Sequence, residues 1–170
     1  HQFFSPISNK RKDIYGGNLK NRCRLLIEIA NAVRKSWPKN KVLGARVNGS
    51  DWLKNGTKIS DCIYLSKELK KIGFNYVCVT SGGIIPKTKL KYKSGYQVFL
   101  AKKIKKEVKI VTRTTGLIKD LNHANKIVSQ NQADLVSFGR KFINSPNWLL
   151  NELIKRKHNV KIPNQYKRCF

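Results

Sequence analysis

The segment that decides the fold spans residues 42–83 and reads VLGARVNGSDWLKNGTKISDCIYLSKELKKIGFNYVCVTSGG. Residues 42–47 are apolar almost throughout, which is typical of a strand that is covered on both faces. Helical periodicity follows over residues 59–72, where Gly73 is placed to end the helix, and residues 76–80 form a second strand rich in β-formers. A strand, a helix and a strand in this order predict two parallel strands joined by a helical crossover.

The same unit is repeated outward from this segment. Helices are also predicted at residues 21–37, 95–107 and 121–130 and from Pro146 onward, and strands at residues 109–113 and 134–138. Four such units in series predict a parallel sheet, and no G-x-G-x-x-G turn supports an open doubly wound sheet. The predicted fold class is therefore α/β, as the C-terminal half of a (β/α)8 TIM barrel with four parallel strand–helix units.

The length of the chain also favours half of a barrel. The chain has 170 residues, whereas a complete (β/α)8 barrel typically needs about 250. It begins at His1 and contains no methionine, so we expect a longer protein whose N-terminal half-barrel is missing here. Residues 1–170 are predicted to form one partial domain, inactive alone, with a short tail at about residues 159–170. The two sheet edges of a half-barrel would pair with the missing half or with a second copy of the chain.

The composition is typical of a globular protein and gives no sign of a membrane helix. Hydrophobic residues make up 40% and charged residues 26%, and no apolar run is long enough for a membrane helix. The cysteines show no metal-binding spacing, so no metal site is predicted and a reducing, cytoplasmic compartment is expected. The formal charge of +27 would attract polyanions. Because the lysines are spread over every predicted helix, they favour a solvated surface over a specific nucleic-acid site.

Glycine and arginine mark the ends of the predicted strands, where a barrel of this type builds its active face. They are Arg46, residues 81–83, Gly116, Gly139 and Arg140. Glycine lets backbone N–H groups approach a phosphate closely, and Arg140 can add a charge-assisted contact. Arg46 lies near the end of an apolar strand, where a cation needs a partner. The carbonyl and ring-nitrogen edge of a flavin would satisfy it, and a structural ion pair inside the barrel is the open alternative.

Blocks of sequence match, in order, the signature segments of a known family. They are SPISNKRKDIYGG (5–17), NRCRL (21–25), RVNGSD (46–51), SGG (81–83), GYQ (95–97), TGLI (115–118), ADLVSFGR (133–140) and QYKR (165–168). Together they closely resemble the Old Yellow Enzyme family, and within it the bacterial NADPH dehydrogenase or xenobiotic reductase class. The resemblance covers essentially the whole chain.

That resemblance implies an enzyme with FMN and NADPH as cofactors. NADPH would reduce the flavin, which would then reduce the C=C bond of a small α,β-unsaturated carbonyl compound, an enone or enal. The family implies that Arg46 binds FMN at the ring, and that Gly116, Gly139 and Arg140 bind it near the phosphate. Where the family usually has small apolar residues before the glycine of its seventh strand, this chain has RTT at residues 113–115.

The resemblance also implies that the site extends beyond this chain. The His-x-x-His or His-x-x-Asn pair that holds the substrate carbonyl is expected just upstream of His1, so no catalytic residue is assigned here. Arg168 is implied to enter the substrate pocket of a neighbouring subunit, which predicts a homodimer or homotetramer. No membrane or specific nucleic-acid partner is expected.

Two other functions remain open at this point. Four lysines on the third predicted helix, Lys102, Lys103, Lys105 and Lys106, would suit a basic nucleic-acid-binding domain. A dihydrouridine synthase is another basic FMN barrel, and its catalytic cysteine would lie upstream of this chain. The motifs disfavour it, although the chemistry of this half does not exclude it.

Overall fold

The computed structural model describes residues 1–86, 90 and 92–169. It divides into two compact units, His1–Ser137 and Phe138–Phe170. The first unit contains the sheet, and the elements described in the second unit, up to residue 169, are all helices. None of the helices in the described ranges has the length and apolar character needed to cross a membrane.

The elements alternate between helix and strand along the first unit. They are α1 (Leu19–Ser36), β1 (Gly44–Asn48), α2 (Ile59–Ile72), β2 (Tyr76–Thr80), α3 (Val98–Val108), β3 (Val111–Thr114), α4 (Leu121–Ser129) and β4 (Leu135–Val136). The second unit contains α5 (Arg140–Asn144), α6 (Trp148–Lys155) and a 3-10 helix (Asn164–Cys169).

All four strands are parallel and lie in the order β1-β2-β3-β4. Each strand is joined to the next by one helix, which confirms the predicted α/β architecture of four parallel strand–helix units. Among the described residues, β1 pairs only with β2 and β4 pairs only with β3. The sheet therefore has two unpaired edges, as half of a barrel would.

Alternate residues of the strands define two faces of the sheet. One face, the covered face, is buried and consists of Val47, Val77, Val79, Thr112 and Thr114. The other, the open face, carries Arg46, Tyr76, Cys78, Val111, Arg113 and Leu135. Val111 is 45% exposed and Leu135 is 46% exposed, although both are large apolar side chains in a sheet.

Most of the helix ends follow the sequence signals. Asn18 caps α1 through a bond from Asn21 N, and Asp120 caps α4 by accepting from His123 N at 2.8 Å. Gly73 ends α2 in the left-handed conformation, with φ of 101°. Strand β3 begins at Val111, two residues later than predicted, because Lys109 takes φ of 53° and ends α3.

Other boundaries and burial differ from the expectations. Strand β1 begins at Gly44 rather than at residue 42, and α3 begins at Val98 because Gly95 lies in a turn with φ of 74°. Helical spacing in the sequence of α1 predicts a buried apolar stripe of Leu25, Leu26, Ile29, Ala30 and Val33. The stripe is only partly buried, since Ile29 and Val33 are exposed while Ala30 is buried.

The second unit is organised around one aromatic cluster. Trp148 is buried, and its ring centroid lies 4.8 Å from that of Phe138 and 5.7 Å from that of Phe142. The last predicted helix begins at Trp148 rather than at Pro146. Helix α5 and the terminal 3-10 helix were not predicted, and about half of the tail predicted at residues 159–170 lies in that 3-10 helix.

Candidate functional site

Arg46 lies on the open face near the carboxyl end of β1, and it is exposed. Its Nε donates to Thr80 Oγ1 at 3.4 Å, a long bond to the end of the neighbouring strand. Among the described residues no carboxylate lies within ion-pair distance of Arg46. The guanidinium can therefore donate to a ligand that has several acceptor atoms.

A cavity of about 320 Å³ lies at these strand ends. It is lined by His1, Phe4, Leu26, Arg46, Val47, Asn48, Leu65, Thr80, Ser81 and Gly82. Its wall combines apolar side chains with a few polar groups, which is the usual composition of a small-molecule site.

The turn after β2 needs glycine for its backbone conformation. Gly82 and Gly83 have φ of 74° and 84°, a region that other residues rarely adopt. The N–H of Gly82 donates to Ser50 O at 2.7 Å, which ties this turn to the loop after β1. The predicted glycine run therefore brings two strand-end loops together.

Gly116 lies in a similarly built turn after β3. Its φ is 117°, and an added Cβ would meet Gln97 Nε2 at 3.0 Å and the Tyr96 ring at 3.2 Å. The buried Gln97 side chain also accepts from Ser81 Oγ at 2.9 Å. Gln97 thus connects the turn after β2 to the turn after β3, so Arg46 and Gly116 belong to one connected set of strand-end loops in the first unit.

The other three predicted site residues belong to the second unit. Gly139 precedes α5 and accepts from Phe142 N at 3.0 Å, and an added Cβ there would meet no atom within 4 Å. Arg140 is the first residue of α5 and is exposed. Arg168 is exposed in the terminal 3-10 helix. The backbone of Gly139 and the side chains of Arg140 and Arg168 are accessible to a ligand or to another chain.

A buried carboxylate, Asp51 of the RVNGSD block, organises the loop after β1, although no role was predicted for it. Asp51 is fully buried, and its oxygens accept from Ser5 Oγ at 2.6 Å, Thr57 N at 2.6 Å and Asn48 Nδ2 at 2.7 Å. His1 Nε2 lies 2.8 Å from Asp51 Oδ1, and because the carboxylate only accepts, that nitrogen is the donor. Asp51 therefore fixes two of the residues that line the cavity, His1 and Asn48.

Sequence signals for this Asp51 network were weak. The chain has only 9 acidic residues, and one of them lies between two glycines of a polar loop. An added Cβ on Gly56 would meet Asp51 Cβ at 2.6 Å, so that glycine is required by the buried side chain. Both features are visible in the sequence, but the donors from Ser5 and His1 are not.

Two of the buried cysteines, Cys23 and Cys62, are not activated nucleophiles. Cys23, Cys62 and Cys78 are buried and only Cys169 is exposed. Burial raises the pKa of Cys23 and of Cys62 to about 12, so both thiols stay protonated at neutral pH. They are packing residues, as their place in apolar stretches indicates.

The lysines of α3 lie at the opposite end of the sheet. Lys102, Lys105, Lys106 and Lys109 line an open cavity of about 540 Å³ beside the first residue of β3, Val111. Lys105 is paired with Asp134 at 2.9 Å. The cavity lining contains no aromatic side chain on which a base could stack.

Comparison with known proteins gives consistent matches. A family model described as "NADH:flavin oxidoreductase / NADH oxidase family" matches residues 1–159. An NADPH dehydrogenase of Clostridium acetobutylicum is 38% identical over 175 residues, covering 100% of this chain and 50% of that protein. An NADPH dehydrogenase of Halalkalibacterium halodurans is 35% identical over 170 residues, covering 100% and 49%. The chain spans about half the length of these relatives.

Solved structures match the same fold. A 2-naphthoyl-CoA reductase in complex with 2-naphthoyl-CoA superposes with a TM-score of 0.81 at 26% identity, covering 92% of this chain and 24% of that one. Morphinone reductase in complex with tetrahydroNAD gives a TM-score of 0.66 at 26% identity, covering 96% and 42%. These neighbours are TIM-barrel enzymes of the Old Yellow Enzyme type that the chain covers only in part, which confirms the predicted partial barrel.

Proposed function

Because the chain belongs to the NADH:flavin oxidoreductase / NADH oxidase family, we propose that it is the flavin-binding half of an FMN-dependent oxidoreductase that uses NADPH. Its substrates are small α,β-unsaturated carbonyl compounds, whose C=C bond is reduced. The observation that carries the proposal is Arg46, an accessible cation without an acidic partner in the described residues. It lies beside glycine turns that the Gln97 side chain connects, by a hydrogen bond to Ser81 and by close packing against Gly116.

The residues at the strand ends fit the chemistry of FMN. Arg46 presents donors beside the cavity, where a planar ring with carbonyl and ring-nitrogen acceptors would satisfy them. Gly116 keeps its turn free of a side chain, because a Cβ there would press on Gln97 and Tyr96. We assign Arg46 to the flavin ring, and Gly116, Gly139 and Arg140 to the phosphate end. The residues of the two units are assigned one by one from the family motifs.

Bound FMN would supply hydride transfer between NADPH and the substrate. The residues of this chain would bind the flavin and orient it. The Arg46 guanidinium favours a negative charge on the ring edge that it contacts. Asp51 holds the His1 and Asn48 side chains at the cavity wall through bonds of 2.8 and 2.7 Å. Arg168, exposed near the end of the chain, contributes to the substrate pocket of a neighbouring subunit in a homodimer or homotetramer.

The flavin assignment is tested with the full chain co-expressed with the part of the Clostridium acetobutylicum NADPH dehydrogenase that the match leaves out. FMN affinity is measured by flavin fluorescence, and turnover by NADPH oxidation with 2-cyclohexenone. Arg46→Met should weaken FMN binding about 10- to 100-fold, the equivalent of one charge-assisted hydrogen bond. Arg24→Met, which removes a charge from α1, is the matched control and should bind FMN normally.

Two results would contradict the proposal. One is an assembled protein that binds no flavin. The other is an Arg46→Met variant that binds FMN as tightly as the unmodified chain does. If the assembled protein binds flavin but 2-cyclohexenone does not stimulate NADPH oxidation, the cofactor assignment stands and the proposed substrate class is rejected.

A further inference from the structure

Arg113 is a second cation on the open face, in the same cross-strand row as Arg46. The register runs from Arg46 through Cys78 and Arg113 to Leu135. The Arg113 guanidinium lies over the Tyr76 ring, with Cζ 5.3 Å from the ring centroid. Its Nε is buried and has no hydrogen-bond partner among the described residues. The guanidinium also contacts the Cys78 side chain in the same row. The cation is therefore held against a ring and a thiol, with its Nε donor unused.

The surface around Arg113 exposes apolar side chains, as a surface that is buried by another part of a protein would. Val111 and Leu135 flank it and are almost half exposed. A second apolar strip lies along α1 and its C-cap, where Ile29, Val33 and Trp37 are exposed at intervals of four residues. Apolar residues are thus exposed on both the sheet face and the helix flank. Another set of strands and helices would bury such a surface.

Charge complementarity limits what can cover this face. The paired strand residues that form it include Arg46 and Arg113 and no carboxylate. A second copy would place two more arginines against these two in a chain that already carries +27. Burying Arg113 without an anion would cost several kcal/mol, whereas a carboxylate at its free donors would satisfy it. A copy of this chain is therefore a poor occupant, and an acidic half-barrel is a good one.

We propose that the open face is covered by a complementary set of parallel strands that places a carboxylate against Arg113. The inference rests on the proposed function, since that function requires a completed barrel. Arg113 acts as a specificity-determining residue of the interface. It selects a half-barrel that has an inward-facing Asp or Glu and rejects one with an apolar residue at that place.

The experiment uses the full chain and the same Clostridium acetobutylicum half as a probe, in two versions. Its inward-facing residue nearest to Arg113 in the assembled barrel is replaced by Glu in one version and by the isosteric Gln in the other. The unmodified chain should bind the Glu version about tenfold more tightly than the Gln version, as measured by analytical ultracentrifugation. Arg113→Met in this chain should abolish that preference. Lys103→Met, on the exposed surface of α3, should keep it.

Equal binding of both versions, or a Glu preference that survives Arg113→Met, would overturn the proposal. So would a failure of both versions to bind, or a tight self-dimer that excludes them. FMN retention in the same samples separates the two proposals. If the Glu version is preferred but FMN is not retained, the interface proposal stands and the flavin site is rejected. If FMN is retained but the Glu version is not preferred, the flavin site stands and the interface proposal is rejected.

Discussion

The two faces of the sheet are built from alternate residues of the same strands and differ in burial, polarity and contacts. The covered face carries Val77, Val79 and Thr112, all fully buried. The open face carries two arginines, the half-exposed Val111 and Leu135, and one buried thiol, Cys78. The difference teaches that the stability of the first unit resides on one side of the strands. Arg46, proposed to contact the cofactor, and Arg113, proposed to contact the complementary strands, lie on the other side.

The largest expected effect contrasts one acidic substitution on each face. Val77→Asp would bury an unpaired carboxylate and should cost more than about 4 kcal/mol, enough to abolish the cooperative unfolding transition. Val111→Asp, on the half-exposed side chain two strand positions from Arg113, should cost less than about 1 kcal/mol. Urea unfolding followed by circular dichroism measures both. Similar losses for the two variants would break the distinction between the faces.

Two arginines give the next contrast. Arg22, in the helix layer beneath the covered face, is buried and donates to Phe4 O at 2.9 Å and Gly17 O at 2.6 Å, with Asp61 at 3.6 Å. Arg22→Met should destabilise the chain by about 3 kcal/mol because it leaves these acceptors and a carboxylate unpaired. Arg113→Met should change the free energy of unfolding by less than about 1 kcal/mol, in either direction, since its Nε is unsatisfied. A large loss for Arg113→Met would show that this chain alone satisfies that cation.

A smaller contrast concerns apolar side chains. Val79→Ala should cost about 2 kcal/mol through lost burial and an unfilled cavity. Leu135→Ala should cost less than about 1 kcal/mol in the isolated chain, because the leucine is already 46% exposed. When the complementary half is bound, the cost of Leu135→Ala should rise toward that of Val79→Ala. Thermal unfolding of the chain and of the complex checks this change.

How far the sequence predicts this molecule depends on how local the signal is. The bounds of α2 and β2 were predicted correctly because periodicity, Gly73 and β-branched residues all lie within those segments. Helix α5 was missed because five residues, RKFIN, show no helical period and Gly139 gives no side-chain cap. Ile29 was expected in the core but is exposed. An apolar stripe indicates that a helix face is buried, but it does not identify the element that buries it.

The candidate site shows the same limit. Arg46 and the glycine turns could be predicted from their places at strand ends. Asp51 could not, because its burial depends on a hydroxyl 46 residues away, that of Ser5. The role of Gln97 likewise requires the fold, since it joins turns after two different strands.

The smallest expected effect concerns Asp134, which alternates with Leu135 and lies on the covered side. Its Oδ2 accepts from Thr112 N at 2.8 Å, and its Oδ1 lies 2.9 Å from Lys105 Nζ. Burial acts to raise the pKa of Asp134, but the bonds from Lys105 and Thr112 outweigh it and the pKa is lowered.

A lowered folded-state pKa means that this carboxylate stabilises the chain above its unfolded pKa of about 3.9, and that the contribution is lost as pH falls through the folded value. Asp134→Asn should therefore cost less than about 1 kcal/mol at pH 6, as expected for a partly exposed pair. The gap between variant and unmodified chain should narrow below about pH 4. Urea unfolding at pH 6, 4 and 3 checks this, with the exposed Glu107→Gln as the control. A gap that stays constant with pH would mean that Asp134 contributes by packing rather than by its charge, and would remove electrostatics from the account of the covered face.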